Sequence, residues 1–259
     1  VKGVITGEKG IDKNGKKSDL YEPAIALKGR QTIFAEGCRG HLGKKLIKKL
    51  NLYENNQFQT YAIGLKELWE VDNNTLNKGD VFVDIGSNDA IALTPFQNLG
   101  FKNILGIEPA KNLAKLANKK RIKTFNGFLS IKNLRKIKKG ADIILASNVF
   151  AHSDNLKEMA ECMKRLIKKD GTIIIEVQYL LNTLKDLTFD NIYHEHYNYW
   201  SLTSLVNFFK QFNLEIYNVE KIQTHGGSIR IYVKKTKTKI NKNVKSLLKE
   251  EEKFGIKKY

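Results

Sequence analysis

From Asp80 onward the chain alternates short β-branched runs with amphipathic segments, and this alternation constrains the fold more than any other feature. Strands are expected at 81–85, 103–107, 122–125, 141–146 and 172–177. The clearest intervening helix has Asp154 as its candidate N-cap and places Leu156, Met159, Met163, Leu166 and Ile167 on one face. Five strands with four crossovers make a doubly wound, mostly parallel sheet with helices on both faces. After Tyr179 the alternation stops. A helix begun by Ser201 turns Leu202, Leu205, Phe209 and Phe212 inward, and runs at 214–222 and 228–234 follow with no helix between them. They form a closing antiparallel hairpin and bring the sheet to seven strands.

The flanks read differently. Residues 1–23 are rich in Gly and Lys and predict a hairpin or a partly mobile arm. From 32 to 79 the spacing is helical, with Leu42, Leu46, Ile47 and Leu50 in one stripe and Tyr61, Leu65, Leu68 and Trp69 in another. A charged helix over 244–254 stops at Gly255. The expected division is an N-terminal arm and helical cap over 1–78, the α/β domain over 79–240 and a C-terminal helix over 241–259.

Composition narrows the partners. With 41% hydrophobic residues in 259, the chain can bury a full core, so disorder and collagen are excluded. Its formal charge of +18 implies anionic partners: nucleic acid, nucleotide sugars, phosphorylated glycans or acidic membranes. The cations are 39 Lys and 6 Arg, and Lys gives a solvated point charge rather than the planar fork that reads bases, so nucleic acid is disfavoured. Residues 111–139 hold eleven Lys or Arg and no acid, either a solvated helix face or an attractor of anionic substrate. Cys38 and Cys162 stand far apart, which excludes a disulfide framework or a four-thiolate zinc site. There is no basic-then-apolar leader, and no apolar run nears the roughly 20 residues that span a bilayer, so a cytoplasmic location is expected.

The most informative motif is Val81-Phe-Val-Asp-Ile-Gly-Ser-Asn-Asp-Ala90, a buried strand entering a turn with one glycine where a helix is expected. A dinucleotide site needs three glycines, and Ser87, Asn88 and Ala90 stand where the others would be, so NAD is disfavoured. Asp84 places a carboxylate at the turn, a poor neighbour for pyrophosphate and a good one for a cationic or amine-bearing ligand. Glu108, followed by Pro109, lies 24 residues later at the end of the second strand, where a carboxylate can accept both ribose hydroxyls. Glycine, acid and spacing together resemble the class I S-adenosylmethionine-dependent methyltransferases, which have a Rossmann-like fold. Ala90 departs from the glycine common there and is acceptable if that position is ordinary helix.

A second constellation gathers at the expected strand ends: Asn148-Val-Phe-Ala-His152, Glu176-Val-Gln178-Tyr179, Tyr193-His-Glu-His196 and His225-Gly-Gly-Ser-Ile-Arg230. Gly86-Ser-Asn-Asp89 and the segments Asn148–His152, Tyr193–His196 and His225–Arg230 resemble the sugar C-methyltransferases that act on nucleotide-linked keto-deoxysugars. The resemblance runs from about 81 to 233, continues weakly to Gly255 and leaves out the first eighty residues. It implies His196 as general base, with Tyr193 and Glu195 shaping or polarising the pocket and His225 beside them. S-adenosylmethionine would be held by Asp84, Gly86, Ser87, Asn88, Glu108, Pro109, Asn148, Val149, Phe150 and His152. Glu176, Gln178, Tyr179 and His194 would meet a small-molecule substrate, an anionic sugar or nucleotide-sugar.

The chemistry asks for such a base independently of the family, because an acceptor carbon or hydroxyl must lose a proton as the methyl arrives. Several readings stay open at this level. His194 and His196 could bind a metal with His152 or His225, although the spacing is no known metal signature. His225 could simply hold the tight Gly226-Gly227 turn. The acceptor could instead be a hydroxyl of a glycan or phosphorylated molecule, or RNA, and a cofactor-binding regulatory subunit without catalysis is a further alternative.

Overall fold

The computed structural model describes residues 3–30, 32, 41–51, 76–137, 140–188, 191–192 and 196–256. Two compact units divide the chain, Val1–Tyr61 and Ala62–Tyr259. In the first, β1 (Gly3–Ile5), β2 (Lys9–Ile11), β3 (Lys17–Glu22) and β4 (Ala26–Lys28) pair as two separate two-stranded antiparallel ribbons, β1 with β4 and β2 with β3. Helix α1 (His41–Leu50) follows and carries the first apolar stripe. No described residue of this unit is buried, and Ile5 and Leu20 are 75% and 83% exposed. The second helical stripe, Tyr61 to Trp69, lies outside the described residues.

The second unit starts its sheet with β5 (Phe82–Ile85), every residue of which is buried, as in a parallel strand covered on both faces. Outward from it run α2 (Thr94–Asn98), β6 (Ile104–Glu108), α3 (Lys111–Lys119) and β7 (Thr124–Asn126). The chain then passes α4 (Ile131–Leu134) and crosses to the other side of β5 for β8 (Ala141–Ser147), α5 (Leu156–Leu166) and β9 (Ile167–Gln178). Helices α6 (Leu180–Lys185) and α7 (Leu202–Lys210) precede the hairpin β10 (Glu215–Ile222) and β11 (Ser228–Lys234), and α8 (Lys242–Phe254) closes the unit. The sheet order is β10-β11-β9-β8-β5-β6-β7, with β11 antiparallel to both neighbours and the pairings from β9 to β7 parallel. This is the expected seven-stranded doubly wound sheet, and the strand order reverses between β5 and β8. Ligands bind at the carboxyl ends of strands flanking such a switch point.

Local chemistry shifts several boundaries. Asn155, not Asp154, caps α5: its side chain accepts from Glu158 N, and its amide returns a bond to the Glu158 carboxylate at 2.9 Å. The reciprocal pair needs an acid at N3, which only Asn155 has. Ile167 leaves the helix and opens β9, which is therefore longer than its β-branched run. Ser201 caps α7 through a capping box with Ser204, and Gly255 ends α8 at φ 95°. The core joins Ile144, Ile173 and Ile175 of the central strands to Met163 and Leu166 of α5 and Leu205 and Phe209 of α7. No helix among the described residues is long and apolar enough to cross a membrane.

Candidate active site

The turn after β5 is built around Gly86, whose φ is +67°. A Cβ there would lie 2.5 Å from Cγ2 of Val149, on the loop after β8, so glycine is required both by conformation and by close approach. Gly86 and Ser87 both donate their N–H to Ile107 O. The helix does not start at this turn: residues 88–93 make further turns, and α2 begins only at Thr94. Ala90 is thus not in ordinary helix; it is fully buried with φ +66°, and Asn88 has φ +55°. The first turn therefore offers no helix N-terminus to a pyrophosphate, which agrees with the missing glycines.

Glu108 ties the first two strand ends together. Its Oε2 accepts from Asn88 N and its Oε1 from Ala110 N, both at 2.8 Å. Each oxygen keeps a second acceptor site, so the geometry still fits two ribose hydroxyls. Asp84 is fully buried on β5 at the root of the turn, between Gly106 and Leu145 of the neighbouring strands. A bare backbone turn, a buried carboxylate and an acid with spare lone pairs suit a cationic, ribose-bearing ligand such as S-adenosylmethionine. Two residues expected at that ligand have buried side chains. Ser87 is buried with its Oγ packed against Gly106, because the β6 backbone comes close enough to exclude a side chain there. Phe150 is wholly buried, stacked on Phe209 at 5.6 Å and tilted against Trp200 at 5.4 Å. Pro109 is exposed just beyond Glu108.

At the ends of β8 and β9 a pocket is lined by Asn148, Ala151, His152, Val177, Gln178, Asn191 and His196. Asn148 turns out of β8 at φ +52° and donates its N–H to Glu176 O. The His152 and His196 rings lie 4.8 Å apart between centroids. His196 is seated by its surroundings: Tyr197 N donates to Ala151 O, Asn198 donates its amide to Ser153 O, and Tyr199 stands edge-on to the imidazole at 5.9 Å. His196 Nδ1 lies 3.1 Å from Asn191 O. A carbonyl only accepts, so Nδ1 carries the hydrogen and Nε2 of the neutral ring holds the lone pair.

Two residues expected to meet substrate are otherwise engaged. Glu176 is buried, its Oε2 paired with Arg230 Nη2 at 3.1 Å and its Oε1 accepting from Thr224 Oγ1 at 3.3 Å, because the β9–β11 register sets it opposite Arg230. Tyr179 is 1% exposed and donates its hydroxyl to Glu251 at 2.9 Å. Burial, with the Glu251 charge beside it, pushes this phenol well above its ordinary range, so it stays a donor. Tyr193, His194 and Glu195 lie outside the described residues, as does the side chain of His225, whose backbone forms the tight turn Thr224–Gly226. No group of three metal-ligating side chains occurs among the described residues. Asn191 and Glu251 were missed at the sequence level. Glu251 carried a readable signal, since it falls on the buried stripe of α8 with Val244 and Leu247.

Comparison with known proteins places this geometry. The methyltransferase domain family matches residues 53–219. C-methyltransferase NovU of Streptomyces niveus is 32% identical over 186 residues, 70% of this chain and 44% of NovU. A different likeness covers a shorter stretch: the mitochondrial electron transfer flavoprotein-ubiquinone oxidoreductase of Arabidopsis thaliana is 48% identical over 88 residues, 33% of this chain and 14% of that protein. The chain thus spans less than half the length of either relative. Among solved structures, a Haloferax volcanii methyltransferase in complex with the Trm112 activator superposes with a TM-score of 0.52 at 14% identity, over 63% of this chain and 85% of that one. The chain belongs to the methyltransferase domain family, and its sheet is the class I S-adenosylmethionine-dependent methyltransferase fold.

Proposed function

We propose that this protein transfers the methyl group of S-adenosylmethionine to a sugar or nucleotide-sugar in surface-carbohydrate or deoxysugar synthesis, with His196 as general base. The observation that carries this reading is the His196 imidazole, with Nδ1 3.1 Å from Asn191 O, in a pocket at the ends of β8 and β9. NovU, named a C-methyltransferase, supports a carbon acceptor. S-adenosylmethionine supplies an electrophilic methyl on a positively charged sulfur. Asp84, the Gly86 turn, Asn88 and Glu108 would hold its amine-bearing and ribose ends. Nε2 of His196 would take the proton from an acceptor carbon beside a ketone, and the electron pair left there would attack the methyl carbon as the methyl–sulfur bond breaks, its electrons passing to sulfur and S-adenosylhomocysteine leaving. Gln178 orients the acceptor, and Asn148 and His152, expected at S-adenosylmethionine, line the same pocket. His196→Ala should leave the affinity for S-adenosylhomocysteine, read by calorimetry, within about twofold and lower turnover of a nucleoside-diphosphate keto-deoxysugar by about 100-fold or more. A fully active variant would remove His196 as base.

The oxidoreductase likeness bears on the other unit. The methyltransferase family match starts at residue 53 and the methyltransferase strands at Phe82. We therefore assign the oxidoreductase likeness to the residues before the sheet, whose described part buries nothing and exposes Ile5, Leu20, Ile25 and Leu27. The match covers 14% of the oxidoreductase, too small a share of it to carry redox chemistry. The purified full chain should show no flavin absorbance; stoichiometric flavin would overturn this assignment.

A further inference from the structure

One buried carboxylate holds both ends of the segment that carries His196. The segment leaves β9 at Tyr179, passes α6 and enters α7 at Leu202. At its root Tyr179 bridges Trp200, and Leu180 N donates to Trp200 O. Glu251 of α8 is fully buried there. It accepts the Tyr179 hydroxyl at 2.9 Å, the backbone N–H of Leu202, and both the N–H (2.8 Å) and hydroxyl (2.6 Å) of Thr203. Four donors satisfy the carboxylate, two of them the orphan amides of the first turn of α7, where the helix dipole favours negative charge. Ser201 already caps that helix through Ser204 N. Glu251 takes the two amides that Ser201 leaves and adds the Tyr179 hydroxyl from the other end of the segment, so it does more than cap α7.

We propose that Glu251 is a positioning residue for methyl transfer: it clamps the two ends of the 180–201 excursion and so fixes where His196 presents its imidazole. The inference rests on the reading of His196 as base. The coupling has a short path. Gln178 of the pocket immediately precedes Tyr179, and three residues separate His196 from Trp200, whose carbonyl is held at the clamp. Loss of the clamp moves the base relative to the acceptor while leaving the Asp84–Gly86–Glu108 side of the sheet in place, and a displacement near 1 Å costs turnover about 100-fold.

The test uses the full chain with Glu251→Gln, which keeps the volume but turns an NH2 toward groups that are all donors. Tyr179→Phe serves as a milder variant that deletes one bond and keeps the ring in the core. In Glu251→Gln, amide hydrogen exchange over 196–203 should rise about tenfold or more. Affinity for S-adenosylhomocysteine should stay within about twofold, and kcat on a nucleoside-diphosphate keto-deoxysugar should fall about 10- to 100-fold with little change in KM. Tyr179→Phe should show the same pattern at smaller amplitude. The double variant Glu251→Gln/His196→Ala should be no slower than His196→Ala alone. Unchanged exchange over 196–203 in both single variants would overturn the clamp. So would a fall in kcat that merely tracks the fraction of unfolded protein, or a double variant slower by the full product of the two effects. If exchange rises as described while His196→Ala is fully active, the clamp stands and the base assignment fails.

Discussion

Gly86→Ala isolates the requirement on which the turn after β5 depends. A non-glycine residue at φ +67° costs about 1–2 kcal/mol. The new Cβ would also stand 2.5 Å from Cγ2 of Val149, a side chain with little rotamer freedom, and overpacking of this kind costs about 1–3 kcal/mol. The variant should therefore lose about 2–5 kcal/mol in urea unfolding followed by far-ultraviolet circular dichroism. The two contributions can be separated. Gly86→Ala/Val149→Ala removes the clash but not the backbone strain, so it should be about 1–3 kcal/mol more stable than the sum of its single variants predicts. A Gly86→Ala protein within about 0.5 kcal/mol of the parent, or strictly additive single variants, would refute the close-approach argument.

Two further outcomes follow from the charged groups. Arg230→Met leaves the Glu176 carboxylate buried without its guanidinium and should cost about 3–5 kcal/mol, whereas Arg230→Met with Glu176→Leu should be clearly more stable than the single variant; chemical denaturation reads both. Glu250 lies at the other extreme, half-exposed between Lys185 at 2.8 Å and Lys221 at 2.7 Å, and hydrogen bonds from these lysines hold its carboxyl below the ordinary range. A depressed carboxylate stabilises the fold above its unfolded pKa of about 4.3 and loses that contribution as pH falls through the folded value. Glu250→Gln should thus lower the melting temperature slightly at pH 7 and match the parent once both carboxyl states are protonated; equal melting temperatures at pH 7 would contradict the pairing.

The fold was legible because its strands are dense β-branched runs, and burial on both faces of a parallel sheet demands such runs. Boundaries failed where a single side-chain bond decides them, as with Asn155 over Asp154 and Ile167 passing from helix to strand. Ala90 shows a different failure: nothing in its identity reports that the turn carries it to positive φ. Asn148, His152, Gln178 and His196 stood out because polar residues at strand ends have few structural reasons to be there, and the four line one pocket. Glu176 and Tyr179 looked the same in sequence, yet their partners, Arg230 and Glu251, lie 54 and 72 residues away. Only the β9–β11 register and the packing of α8 bring them together, and no local pattern encodes either. The likeness of one stretch to a flavoprotein oxidoreductase was likewise invisible to periodicity and charge, which register hairpins and stripes rather than ancestry.

Methyl transfer to a sugar carbon is tested most directly by incubating the protein with methyl-carbon-13 S-adenosylmethionine and a host extract, then reading carbon–proton spectra of the small-molecule and macromolecular fractions. The account predicts an upfield C-methyl signal on a nucleotide-linked sugar in the small-molecule fraction, absent with His196→Ala. Label found at an O-methyl shift would move the acceptor from carbon to a hydroxyl, and label confined to RNA would contradict the account.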